Sequence, residues 1–73
     1  MTKAIDALTD LELEEHLKLV EMDIRWNRNH AYAVQGTTRT TLLDKVREQE
    51  QLLRKLRDER DYRIIHNKYR PFV

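Results

Sequence analysis

The sequence has no cysteine and no serine, and only one glycine and one proline. Without cysteine there are no disulfides and no thiolate metal sites. Without cysteine and serine the two commonest side-chain nucleophiles are missing. One glycine excludes a glycine-rich phosphate loop. His16, His30 and His66 lie far apart with no metal-ligand spacing, so neither a metal nor a cofactor is expected. No apolar run approaches the ~20 residues of a membrane span. Met1–Asp6 lacks the apolar stretch of a signal peptide, so the chain is expected to remain in the compartment where it is made.

What is present is short and highly charged. Seventy-three residues are expected to form one domain, 1–73. A chain of this size buries only about 60% of the surface its unfolded form exposes. With disulfides excluded and no metal pattern, oligomerisation or docking on a partner is the remaining staple. Residues 1–36 hold seven Asp/Glu against four Lys/Arg, whereas residues 37–73 hold ten Lys/Arg against six Asp/Glu. The pattern predicts a polarised surface suited to head-to-tail packing or to an anionic partner.

The first helix announces its own start. Thr9-Asp10-Leu11-Glu12 has the spacing of a capping box, with Thr9 as N-cap and Glu12 three residues on. Leu8 and Leu13 stand where a hydrophobic staple would place them. Leu13, Leu17, Val20 and Ile24 then follow at steps of four and three, predicting one apolar helix face that Leu19, Met22 and Trp26 widen. The end is expected near Asn27–His30, where Arg25 and Arg28 suit the negative end of the helix dipole.

Between the helices, Ala31–Thr40 has strand formers on either side of Gln35-Gly36, and a short β-hairpin is expected there. A second helix is expected from Thr40 or Thr41, with a Thr41–Asp44 cap, to about His66. Its apolar seam is Leu42, Val46, Leu53 and Leu56, interrupted by Gln49 and broadened by Leu43 and Leu52. The fold expected is therefore mainly α: antiparallel helices over about 9–28 and 41–66, a small hairpin over about 31–40, and an extended tail over 67–73.

Several residue groups bear on function. Glu14-Glu15-His16 joins acid and imidazole, but adjacent helical residues point apart, so it reads as a solvated face. Trp26 reads either as an interface anchor or as a core residue closing the two helices. Arg54, Arg57, Arg60 and Arg63 offer subunit or DNA contacts, although interleaved acids favour a salt-bridged surface over sequence reading. Tyr69-Arg70-Pro71-Phe72-Val73 puts two aromatics and a cation on a proline-stiffened segment. It is either a docking peptide for a partner groove or a segment folded back on the chain's own helices.

A helix followed by Ala31–Thr41 and then Leu42–Gln49 resembles the small phage head–tail joining proteins of the W type. Tyr32, Val34, Gly36 and Thr40 or Thr41 match that family's hairpin and capping positions, and Arg70-Pro71-Phe72-Val73 matches its basic, proline-containing C-terminus. The resemblance covers about Leu8 to the end. It implies a ring, commonly of twelve copies, seated under the portal of a filled capsid and facing the next neck or tail component. The protein would be assembled in the host cytoplasm and reside in the virion neck. The tail would insert among portal subunits, and the channel would lie near DNA without reading it.

The residues and the resemblance together lead to a structural adaptor with no catalytic site. One alternative is a small helical regulator or inhibitor that binds a single host or phage protein. The other is a small nucleic-acid-binding protein, whose DNA affinity would fall steeply with salt.

Overall fold

The computed structural model of the chain describes residues 4–72. A single 3-10 turn, Ile5–Ala7, leads into helix α1, Asp10–Ala33, and helix α2, Thr37–Ile65. The helices pair antiparallel, so the start of α1 lies beside the end of α2. The body measures 46 × 23 × 20 Å, close to the length of α2 and the width of two helices.

Helix α1 begins as its sequence predicts. The Thr9 hydroxyl accepts from the Glu12 amide at 3.1 Å, and the Thr9 amide donates to the Glu12 carboxylate at 3.0 Å. Two of the four orphan donors at this end are thereby satisfied. The buried seam is Leu13, Leu17, Val20 and Ile24 of α1 against Val46, Leu53 and Leu56 of α2, with Leu8 closing one end. The periodicity selects these residues and also Leu42, which is only half-buried, and Leu43 and Leu52, which are exposed and do not broaden the seam.

The expected β-hairpin over 31–40 is absent, and no strand occurs among the described residues. Helix α1 runs five residues past Arg28, and α2 starts at Thr37 in place of Thr41. Two causes are visible. Asn27, expected near a helix stop, is buried in the seam, where its amide donates to Gln49 Oε1 at 2.9 Å. Ala31 is fully buried one turn later, so packing continues the helix. The reversal is then confined to Val34–Gly36. Gly36 has φ +72°, a conformation costly to any residue with a Cβ. Thr40 and Thr41 do not cap α2; their hydroxyls donate back to the Gly36 and Thr37 carbonyls inside its first turns.

The Asn27–Gln49 pair explains the break in the α2 seam. A lone polar residue there would carry a desolvation cost, but two that bond each other offset most of it. They also favour one axial register, because a shift of either helix by a turn would strand both amides.

Candidate functional site

Leu19, Met22 and Trp26 do not widen the buried face. They are 58%, 67% and 71% exposed. At 3.6 residues per turn their mean direction lies about 160° around α1 from the seam. Leu11, also exposed, falls in the same sector. Helix α1 therefore has two apolar faces, one turned to α2 and one turned outward. Trp26 is not the core residue that closes the hairpin. The periodic steps that identify the seam also fit the outward stripe, and only the phase separates the two.

The outward face of α2 is different. Asp44, Arg47, Gln51, Arg54 and Asp58 follow one another along it, all exposed. Tyr62 and Ile65, both exposed, continue the same row at its C-terminal end, whereas Leu43, Leu52 and Ile64 scatter around the helix.

Antiparallel pairing also changes the meaning of the charge asymmetry. The acidic first half lies against the basic second half in the same molecule. Arg57 donates to Glu21 at 3.1 Å and Arg63 pairs with Asp10 at 2.9 Å, whereas Arg28 pairs in the opposite sense with Glu50. The two halves lie side by side, so the charge asymmetry does not separate into opposite ends of the molecule.

The four arginines singled out by sequence separate into three settings. Arg54 and Arg57 line an open groove between the helices together with Arg25, Arg28 and the acids that balance them. Arg60 is partly buried, 3.7 Å from Asp61. Arg63 is 8% exposed and belongs to the interior. Its guanidinium donates to Glu59 and Asp10 at 2.9 Å and to the Ile5 and Asp6 carbonyls at 3.4 and 3.5 Å. Burial alone would lower the Arg63 pKa, but the Glu59 and Asp10 carboxylates reverse the sign and raise it above its ordinary value.

The same cluster receives the tail. Helix α2 stops where Asn67 turns left-handed at φ 57°, and the Lys68 amide closes on the Arg63 carbonyl at 2.7 Å. The chain then doubles back along the first turns of α1. The Tyr69 ring packs on the core, and its hydroxyl donates to Glu14. The Arg70 amide donates to Asp10 Oδ2 at 2.8 Å. That backbone bond, assisted by Arg63, holds the Asp10 carboxyl below its usual pKa despite an opposing desolvation. Burial, followed by the Glu14 hydrogen bond, pushes the Tyr69 phenol up to about 12.

Beyond Tyr69 the tail opens outward. Pro71 is partly covered, while Phe72 is 75% exposed, with the Lys18 ammonium 5.5 Å from its ring centre. Val73 lies outside the described residues. The two readings of the tail thus divide by residue: Tyr69 folds back, and Phe72 is displayed.

No family model, curated protein or solved structure matches this chain. Its own surfaces are therefore the grounds for a functional reading. Among the described residues, no group of three His, Asp or Glu is placed to share a metal ion. No helix among them is long and apolar enough to cross a membrane. His16, His30 and His66 are all exposed, and His66 stacks beside Tyr62 with ring centres 4.3 Å apart. Sequence reasoning missed the outward stripe as a site. The signal is the 3-4 spacing of Leu19, Met22 and Trp26, which periodicity alone does not separate from the seam.

Proposed function

We propose that this protein is a non-catalytic adaptor that enters a larger assembly by burying the outward face of α1. The observation that carries this reading is the exposed stripe of Leu19, Met22 and Trp26. Contiguous exposed apolar side chains on a small protein mark interaction surfaces, and tryptophan is enriched among residues that dominate binding energy. A thin two-helix core also gains most from a neighbour.

In its specific form the reading is head completion. Copies of the chain sit on a portal ring in the virion neck and present a surface to the next neck or tail component. The displayed Phe72, with Arg70 and Pro71, supports a contact for the tail beyond the chain itself. Arg54 and Arg57 remain candidates for subunit or DNA contacts, whereas Arg63 is committed to internal bonds. The missing β-hairpin removes one feature that the W-type resemblance implies. The side-by-side antiparallel pairing of the two halves likewise removes end-to-end charge polarity as a reason for ring packing.

That pairing favours a second reading, a small helical regulator docked on one protein. Native mass spectrometry of the chain alone, and then mixed with a portal-type ring, separates the two. The adaptor reading expects a fixed multiple of the chain on the ring, lost on Met22→Glu. If the Met22→Glu chain loads the ring as well as the native one, the outward face is not the docking surface and the proposal fails.

A further inference from the structure

The occupant of the outward face can be narrowed by its edges. Helical phase puts Lys18 and Arg25 along one edge of the stripe and Asp23, flanked by His16 and His30, along the other. One edge is basic, and the other holds an acid and two imidazoles. The stripe itself carries Leu19, Met22, Trp26 and, at its end, Ala33, with Glu12, Glu15 and Asn29 at the remaining positions. Its steps of three and four residues are those of a helix seam that meets another helix.

We infer that the partner on this face is a second copy of the chain, paired stripe to stripe with the two α1 helices parallel. The inference rests on the docking reading above and specifies its partner. Three observations carry it.

The first is the choice of surface. The outward face of α2 is polar over 44–58, and its exposed apolar pair, Tyr62 and Ile65, is confined to the far end, too short to match a stripe centred on α1. A head-to-tail contact of α1 on α2 of the next copy would bury charges against Trp26. Stripe on stripe buries apolar atoms on both sides.

The second is the charge on the edges. In a parallel helix pair each edge meets the opposite edge of its neighbour, about five residues further on. Lys18 then faces Asp23 of the second copy, and the two-fold repeats that contact. In an antiparallel pair each edge meets its own kind. Lys18 and Arg25 would then face the same two cations, which is unfavourable.

The third is size. Helix α1 has 24 residues and so is about 36 Å long. Covering half of its cylinder removes roughly 600 Å² per copy, the lower end of the range for specific interfaces. The predicted dimer is therefore weak, and Glu12 and Glu15, which each meet their own copy, weaken it further.

The absence of native cysteine provides a direct test. In the parallel pair Asn29 lies beside Asn29 of the second copy. In antiparallel registers that match apolar positions the two are about 15 Å or more apart. Light scattering across a concentration series, on the native chain and on Asn29→Cys under oxidation, is expected to give a dimer and a rapid Asn29→Cys disulfide. Lys18→Glu is expected to weaken the dimer several-fold, and adding Asp23→Lys to restore it. Met22→Glu is expected to be monomeric with unchanged helical circular dichroism, because Met22 contributes nothing to the seam. A native chain that stays monomeric at millimolar concentration overturns the inference. So does a dimer that Lys18→Glu strengthens, since that is the antiparallel response. A monomer that still loads a portal ring through Met22 overturns the second copy and leaves the docking reading standing.

Discussion

The outward faces of the two helices were built under different constraints. Both helices give one face to the same seam, and those inner faces are alike: leucines, valine and isoleucine at steps of three and four. Outward, α2 carries Asp44, Arg47, Gln51, Arg54 and Asp58, as expected of a face meant for water, and turns apolar only at its end, with Tyr62 and Ile65. Outward, α1 carries Leu19, Met22 and Trp26, which gain nothing from the fold as it stands. An exposed tryptophan that does not stabilise the chain is best explained by what it binds. The fold is held on one side of α1, and the docking surface proposed for it lies on the other.

The sharpest way to break that comparison is to cut both faces of α1 equally. Leu13→Ala, or Leu56→Ala on the facing helix, removes a fully buried side chain and is expected to cost about 2–5 kcal/mol. Trp26→Ala removes a larger side chain from the outward face and is expected to change stability by less than about 0.5 kcal/mol. Urea unfolding followed by circular dichroism checks both. A loss for Trp26→Ala as large as that for Leu13→Ala would place Trp26 in the stability account and erase the distinction.

A smaller effect comes from the tail and depends on pH. The Tyr69 phenol titrates at about 12 in the folded chain, against an ordinary value of about 10. The folded state therefore holds this proton more tightly. Its contribution is complete below about pH 10 and is lost as pH rises toward 12. Asp10 has the opposite sign. Its folded pKa is depressed, so its contribution holds above its ordinary value near 4 and is lost as pH falls through the folded value. An ultraviolet absorbance titration of the three tyrosines is expected to show one late phase that disappears in Tyr69→Phe. If the late phase persists, Tyr69 does not fold back onto Glu14.

Much of the seam was legible because burial and helical period coincide there. The Thr9 capping box was legible because its two bonds are local. The turn was misread. Tyr32, Val34 and the threonines have strand propensity, but nothing was available to pair with a two-stranded ribbon. The seam continued through Asn27 and Ala31 and extended the helix over them. The Asn27–Gln49 bond joins residues 22 apart, and neither end signals the other locally. Arg63 was read as a surface cation for the same reason. Its four acceptors come from the 3-10 turn, the start of α1 and one turn earlier in α2. The stripe of Leu19, Met22 and Trp26 was visible, but its phase was not separated from that of Leu17, Val20 and Ile24.

The most direct test of the central claim is the fluorescence emission of Trp26, the only tryptophan in the chain. The dilute chain should emit like tryptophan in water, and emission should shift to the blue as the chain assembles with its copy or its partner. Blue emission from the dilute monomer, or no shift when the measured mass increases, would contradict the assignment of the outward face of α1 as the docking surface.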